Sequence, residues 1–200
     1  ASFKALRTLT LSVSGQGSVV RSPEATSYLD RAVVRLAAQA AEGWQFTGWS
    51  GAASGSAASV AVTLDADKTV NATFKQLFAI STAVEGNGAV TLDPAQATYL
   101  DGTSVSVAAT AAAGYRFTGW TGALSGTDNP ASLVVNGNKT GTANFTAVWP
   151  LKVSAGVGGS VAVDPEQSEY LHGSVVKLTA TAKPGYAFTG WSGDAASADA

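Results

Sequence analysis

A repeat with a period of 71 residues runs through this 200-residue chain and limits its fold more than any other feature. Trp49, Trp120 and Trp191 follow one another at this spacing, and the copies align without an insertion or deletion. The same spacing relates further sets of residues: Tyr28, Tyr99 and Tyr170; Pro23, Pro94 and Pro165; Gly43, Gly114 and Gly185; Phe46, Phe117 and Phe188; and, in two copies, Phe74 and Phe145. A fixed period predicts a tandem array in which every copy folds into the same small unit.

The period divides the chain into four parts. Residues 1–5 match the closing segment of a copy, residues 6–76 and 77–147 form two complete repeats, and residues 148–200 form a third repeat that stops before its last two apolar segments. We expect the strands that complete this third copy to come either from a longer chain or from a neighbouring molecule by strand addition. In the second case the donor would be residues 1–4, since residues 6–13 are expected to form the first strand of the first copy.

Comparison of the copies predicts strands and not helices. Residues 33–42 alone could form a helix, because alanine is the best helix former. Their counterparts, however, keep apolar residues at every second position: Val34, Leu36 and Ala38; Val105, Val107 and Ala109; Val176, Leu178 and Ala180. This alternation is typical of a half-buried strand. We therefore predict an all-β fold, a tandem array of small β-sheet domains with about six short strands each, for which a β-grasp-like arrangement is one option.

Composition and charge exclude several classes of function. Only 13% of the residues are charged, the net charge is −2, and the 12 basic residues are scattered singly. Nucleic-acid binding needs a basic stripe, which this pattern does not provide. No apolar run approaches the roughly 18 residues of a membrane span. The absence of cysteine excludes disulfides and thiolate metal sites.

The sequence offers no set of residues suited to catalysis. His172 is the only histidine, and its counterparts are Asp30 and Asp101, so it occupies a turn position. Paired carboxylates of the kind that glycosidases need do not recur either, since Glu24 and Glu42 are replaced by alanine in the second copy. We predict that the chain is not an enzyme and has no catalytic residues, no cofactor-binding residues and no cofactor.

Two short loops resemble metal sites but provide too few ligands. Asp65 and Asp67 in the first copy, and Asn136 and Asn138 in the second, place oxygen atoms at alternate positions, as calcium loops do. Calcium needs about six to eight oxygen ligands, and each loop offers two side chains. Asx turns explain the same pairs without a metal, so we predict no metal site.

The recurring aromatic residues have two interpretations. They could form the hydrophobic core of each unit, or they could form exposed platforms on which sugar rings stack. We predict the core position for all of them: Trp49, Trp120, Trp191, Phe46, Phe117, Phe188, Tyr28, Tyr99, Tyr170, Phe74 and Phe145. Phe78 and Trp149 align with Arg7 and belong to no shared core position, so with Pro150 they are predicted to lie at the junctions between repeats.

Residues 185–194 read Gly-Tyr-Ala-Phe-Thr-Gly-Trp-Ser-Gly-Asp. Together with the glycine turn, the Pro…Tyr-x-x-Gly element and the closing Lys-Thr-x-x-Ala-x-Phe, this segment resembles the divergent internalin-type B-repeat family of bacterial surface proteins. The resemblance covers essentially the whole chain. Two departures stand out: Arg31 replaces the turn glycine, and the Asp-Cys that often follows Trp-Ser-Gly is Ala52-Ala53 in the first copy and Ala123-Leu124 in the second.

The resemblance implies a secreted or surface-anchored bacterial protein, extracellular or at the cell surface, in which such repeats act as stalks, spacers or adhesive segments without enzyme activity. We expect a non-catalytic structural array that acts as a stalk or spacer or as a self-assembling filament segment. The alternative is a glycan-binding adhesion module that uses surface aromatics. The expected partners are neighbouring repeats of the same chain, with identical chains in a filament and cell-surface or extracellular polysaccharide as further options, and neither nucleic acid nor a membrane span.

Overall fold

A computed structural model describes residue 1 and residues 3–195, and within them all helical or strand structure is β-strand. The strands are β1 (Leu6–Arg7), β2 (Leu9–Ser14), β3 (Gly17–Ser22), β4 (Tyr28–Leu29), β5 (Ala32–Ala40), β6 (Trp44–Gly51), β7 (Ser59–Leu64), β8 (Lys68–Phe78), β9 (Ile80–Glu85), β10 (Gly88–Asp93), β11 (Tyr99–Leu100), β12 (Thr103–Ala111), β13 (Tyr115–Gly122), β14 (Ala131–Val135), β15 (Lys139–Trp149), β16 (Gly159–Asp164), β17 (Tyr170–Leu171) and β18 (Lys177–Ala182). The predicted all-β class is confirmed, with six main strands and one two-residue strand in a complete repeat.

The chain divides into two compact units. The first consists of Ala1–Ser81, Leu92–Val107 and Pro130–Gly141, and the second consists of Thr82–Thr91, Ala108–Asn129 and Thr142–Ala200. The first unit therefore contains the whole first repeat together with β11 and β14, and the second contains β13 and the described part of the third repeat. The strands of the second repeat are shared between the two units.

The first repeat consists of two three-stranded sheets. In the mixed sheet β8 lies at the centre, parallel to β2 on one side and antiparallel to β6 on the other. The second sheet is antiparallel, in the order β3-β5-β7. Their buried side chains form one hydrophobic core, to which Val70 and Phe74 of β8 contribute from the mixed sheet and Val34 and Leu36 of β5 from the antiparallel sheet. Because β8 is flanked on both sides, it is the strand on which the mixed sheet depends.

The helix alternative for residues 33–42 is wrong, and the predicted strand is confirmed as β5. Val34 and Leu36 are fully buried, while Val33, one position before Val34, is exposed. Successive side chains of a strand point to opposite faces, so the alternating sequence places one apolar row in the core.

The second repeat has the same pairing order. Its sheets are β10-β12-β14 and a sheet in which β15 pairs with β13 and with β9. The strand β15 thus takes the central position that β8 has in the first repeat. We call β8 and β15 the closing strands.

The first strand is shorter than the sequence predicts. Residues 6–13 were expected as one strand, but the structure separates β1 from β2 at Thr8. One period after β1 lie Leu77 and Phe78, the last two residues of the closing strand β8. Leu6 and Arg7 therefore correspond to the end of a closing strand and not to the start of the first copy's own strand.

The third repeat contains fewer strands in the part that the structure describes. Strands β16 and β18 pair in antiparallel register, from Gly159 opposite Ala182 to Asp164 opposite Lys177. Residues 151–156 and 186–192, the counterparts of β2 and most of β6, are not strands. One period after β14 and β15 would fall residues numbered above 200, beyond the printed sequence.

Candidate functional site: the strand junctions between repeats

Each closing strand belongs to two repeats. The end of β8 pairs antiparallel with β11 of the next repeat, with Leu77 opposite Leu100 and Phe78 opposite Tyr99. Just beyond this pair, the backbone N–H of Asp101 donates to the carbonyl oxygen of Gln76 at 2.9 Å. The same antiparallel pairing joins β1 to β4 and β15 to β17. A backbone ladder therefore connects each repeat to the following one.

The tyrosine of each short strand fixes the junction to its own repeat. The hydroxyls of the three tyrosines donate to the carbonyl oxygens of the prolines five residues earlier, at 2.9, 2.8 and 2.8 Å: Tyr28 to Pro23, Tyr99 to Pro94 and Tyr170 to Pro165. Each hydroxyl also accepts a backbone N–H, from Ala25, Gln96 and Gln167 respectively. All three side chains are buried. Because the hydroxyl is satisfied as both donor and acceptor, burial of the ring leaves no polar group unpaired.

An Asx side chain holds the residue that links two repeats. The backbone N–H of Thr8 donates to Oδ1 of Asp67 at 2.8 Å, and the N–H of Lys68 donates to the carbonyl oxygen of Thr8 at 3.0 Å. This reciprocal pair turns the backbone of Thr8 toward the β7–β8 turn and separates β1 from β2. Asp67 thus holds Thr8 in place. We call Thr8 the linker and this pair of hydrogen bonds the latch; the sequence analysis did not identify it.

The second repeat repeats this latch with a neutral side chain. The N–H of Ala79 donates to Oδ1 of Asn138 at 3.0 Å, and the N–H of Lys139 donates to the carbonyl oxygen of Ala79 at 3.0 Å. In the third copy the linker position is Pro150, which has no N–H to donate. The three linkers therefore differ: one latched by a carboxylate, one by an amide, and one that lacks the donor.

The electrostatics of the first latch favour its charged form. The backbone hydrogen bond from Thr8 is the main cause that lowers the pKa of Asp67 below its usual value. The pKa of Asp65 is also lowered, first by its hydrogen bond to Lys68 and then by the charge of that lysine, whose Nζ lies 2.8 Å from Oδ1. The two carboxylates considered as calcium ligands are thus engaged within the protein, and the described residues contain no cluster of three or more His, Cys, Asp or Glu side chains suited to a metal.

The predicted junction residues differ in how they pack. Phe78 is half-buried and pairs through its backbone with Tyr99. Trp149 pairs in the same way with Tyr170, and its side chain is 61% exposed. Val148 is the buried member of this strand end, and alternation turns the next side chain outward. Pro150 is exposed.

His172 lies at a junction through its backbone only. Its N–H donates to the carbonyl oxygen of Ala147 at 2.8 Å, while its side chain is exposed. The position is the turn that follows β17, as the alignment with Asp30 and Asp101 indicates.

In the first two repeats the aromatic residues lie at the core. Trp49 and Trp120 are 6% and 4% exposed. Their indole N–H groups donate to the carbonyl oxygens of Ala57 and Asp128 at 2.8 and 2.9 Å, so each ring is held beneath the loop that follows its strand. The half-buried Phe46 and Phe117 contact these rings and the buried Phe74 and Phe145, with centroid distances between 4.9 and 5.7 Å.

The aromatic residues of the third repeat are more exposed. Phe188 and Trp191 are half-buried, with their ring centroids 5.3 Å apart. Tyr186, the counterpart of the half-buried Trp44, is 60% exposed. Trp49 and Trp120 are thus buried, whereas Trp191 is half-buried.

The part of the chain that the structure describes contains no helix long and apolar enough to cross a membrane. A search of curated proteins finds no match. A family model described as the divergent InlB B-repeat domain matches residues 7–77, 78–148 and 149–200, so nearly the whole chain is covered by three consecutive matches. Each match begins one residue later than the boundary drawn from the sequence. By this coverage, the chain belongs to the divergent InlB B-repeat domain family.

Proposed function

We propose that this chain is a non-catalytic spacer in a bacterial extracellular or cell-surface protein, built to hold its length under tension. Repeats of this family are typical of bacterial surface proteins, and the family is generally non-catalytic. The observation that carries the proposal is the arrangement of the first and last strands of the first repeat, which are adjacent and parallel. Their register runs from Leu9 opposite Lys68 to Ser14 opposite Thr73.

This arrangement determines how tension acts on the hydrogen bonds of a stretched repeat. The chain enters the repeat at the start of β2 and leaves it at the end of β8, so tension pulls these two parallel strands in opposite directions along their length. The hydrogen bonds between them are then loaded together and must break in one event. In an antiparallel hairpin pulled at its open end, the bonds break one after another. Parallel pairing of the terminal strands therefore resists extension.

Single-molecule stretching tests the proposal. Pulled from its ends, the first repeat is expected to open in one rupture that lengthens the chain by about 200–240 Å, at about 3.4 Å for each of its residues. The matched control uses two cysteines as handles in a chain that has none of its own, at Gln16→Cys and Ala41→Cys. These positions lie at the open end of the antiparallel β3–β5 pair, so the control geometry unzips that pair and should yield at a lower force. Equal rupture forces in the two geometries, or gradual extension without a rupture, would contradict the proposal.

A glycan-binding adhesion module is the second candidate. The observation that favours it is the exposure of two aromatic side chains, Trp149 at the end of β15 and Tyr186 in the third repeat. Exposed aromatic faces can stack on sugar rings, whereas Trp49 and Trp120 are buried. Titration of the chain with cell-surface polysaccharide, with the double variant Trp149→Ala and Tyr186→Ala as control, tests it. Saturable binding that the double variant loses would favour the adhesive role.

A further inference from the structure

The turn between β14 and β15 contains the dipeptide Asn136-Gly137, at the position of Asp65-Ala66 in the first repeat. The Asn136 side chain is exposed, and a Cβ added at Gly137 would meet no atom within 4 Å. In the part of the chain that the structure describes, neither this side chain nor the backbone N–H of Gly137 makes a hydrogen bond. The two groups are therefore free to approach each other.

An asparagine that precedes glycine can lose its side-chain amide without an enzyme. The backbone nitrogen of Gly137 would attack Cγ of Asn136 and form a cyclic imide, while the side-chain nitrogen leaves as ammonia with the proton from the attacking nitrogen. Water then opens the ring. Cleavage of the bond to Cγ gives aspartate, and cleavage of the bond to the backbone carbonyl carbon gives isoaspartate, in which the main chain runs through Cγ. Glycine favours the attack because it has no Cβ to obstruct the close approach.

A second dipeptide of this kind, Asn87-Gly88, lies at the hairpin between β9 and β10 and is held more firmly. The carbonyl oxygen of Asn87 accepts the backbone N–H of Ala112 at 3.2 Å. Gly88 is the first residue of β10, and a Cβ at this position would collide with the ring of Phe145. Closure of the imide must turn this peptide plane and so break these contacts. The structure therefore distinguishes two sites that share the same dipeptide.

We propose that Asn136 is a site of spontaneous deamidation, and that its products alter the second linker, Ala79, as the protein ages. The aspartate product has a basic partner. In the first repeat Oδ1 of Asp65 lies 2.8 Å from Nζ of Lys68, and Lys139 has the position of this lysine in the second repeat. Deamidation to aspartate therefore gives the second turn the ion pair of the first, and it is expected to leave the fold intact.

The isoaspartate product is expected to disturb the latch. It adds one carbon atom to the main chain at position 136, two positions before Asn138. Oδ1 of Asn138 accepts the N–H of Ala79 at 3.0 Å, and the N–H of Lys139 donates to the carbonyl oxygen of Ala79 at 3.0 Å. Both bonds depend on the path of the backbone through this turn. The longer path displaces Asn138, so the backbone amide of Ala79 should lose its protection from hydrogen exchange.

Peptide mapping of the folded 200-residue chain during incubation at mildly alkaline pH tests the site. Digestion with trypsin separates the two dipeptides, since Arg116 lies between them, and mass spectrometry measures the conversion of each. We expect Asn136 to react about 10-fold faster than Asn87 or more, because a hydrogen bond and the packing against Phe145 must be broken at the second site. In denaturant these contacts are absent, so the two rates should come within a few-fold of each other.

Two variants separate the reaction from its effect on the linker. Gly137→Ala should slow the reaction of Asn136 by about 10-fold or more, because a Cβ obstructs the attack. It should keep the fold, since the space around Gly137 is open and Ala66 has this position in the first repeat. Asn136→Asp supplies the aspartate product alone and should leave the backbone amide of Ala79 protected. In the aged chain, the fraction of Ala79 amides without protection should equal the isoaspartate fraction found by peptide mapping.

Four results would overturn the inference: no reaction at Asn136, equal rates at Asn136 and Asn87 in the folded chain, an unchanged rate in the Gly137→Ala variant, or full protection of the Ala79 amide in chains that contain isoaspartate. None of them bears on the spacer proposal, which depends on the parallel pair within the first repeat.

Discussion

The first and third repeats align without a gap over their common length, but the described part of the third forms fewer strands. In the first repeat β8 completes the mixed sheet, and Trp49, Val34 and Leu36 are buried. In the described part of the third repeat the antiparallel pair β16–β18 forms, whereas the segments that would flank a closing strand are not strands. The comparison indicates that the two sheets of a repeat depend on different segments. The antiparallel sheet forms from strands close in sequence, whereas the mixed sheet depends on its central strand.

The largest expected effect is the loss of stability when a tryptophan of the first or the third repeat is replaced by alanine. Trp49→Ala should destabilise the first repeat by about 3–5 kcal/mol, as truncation of a buried tryptophan in a core does. Trp191→Ala should cost clearly less in the third repeat, because this side chain is only half-buried. Denaturant titration followed by hydrogen exchange in residues 9–14 and 159–164 measures the two effects separately. Equal losses would mean that the third core is already complete.

A smaller effect is expected at the turn that touches the closing strand. Gly15→Ala combines a positive φ with a collision against the carbonyl of Phe74, so it should destabilise the first repeat by about 1–3 kcal/mol. In the third repeat the reverse change, Val157→Gly, should alter the stability of the chain alone very little, because Val157 is exposed. The midpoint of thermal unfolding for each variant checks both expectations. A neutral Gly15→Ala would show that the turn is not held against β8.

The smallest effect is a pH dependence confined to the first linker. The pKa of Asp67 is lowered in the folded state, so its contribution is fully present above the ordinary aspartate pKa of about 4 and is lost as the pH falls through the folded-state value. The amide of Thr8 should therefore lose protection below about pH 4, after correction for the intrinsic exchange rate. The amide of Ala79, held by Asn138, should not.

The variant Asp67→Asn provides the control for this experiment, since it gives the first linker the neutral latch of the second. It should remove the pH dependence of the Thr8 amide and keep its protection at neutral pH. If the Thr8 and Ala79 amides of the unaltered chain respond identically to acid, the carboxylate does not hold the linker.

The sequence predicts the elements of this fold better than their pairing. Alternation at Val34, Leu36 and Ala38 is a local signal with a period of two, so the strand β5 could be identified. The central position of β8 could not, because β2 and β8 pair across 59 residues and neither strand carries a local mark of its partner. The same separation explains why the sequence does not predict the latch. Asp67 is identified as an Asx-turn residue, but its partner Thr8 lies 59 positions away.

The junctions show a similar limit. The period of the repeat predicts Phe78 and Trp149 at the boundary, but whether a side chain packs there depends on the face to which the strand turns it. The replacement of Gly15 and Gly86 by Val157 was visible in the aligned copies. Its meaning was not, because only the structure shows the carbonyl of Phe74 against that position.

The shared closing strand also gives the array an order of assembly in time. As the chain emerges during synthesis or export, the antiparallel sheet of a repeat can pair as soon as its residues appear, but the mixed sheet must wait for the last segment of the repeat. When β8 arrives it completes its own repeat, and its end is at once available to receive β11 of the next. The mixed sheet of each repeat can therefore form only after the last segment of that repeat has emerged, whereas its antiparallel sheet can form earlier.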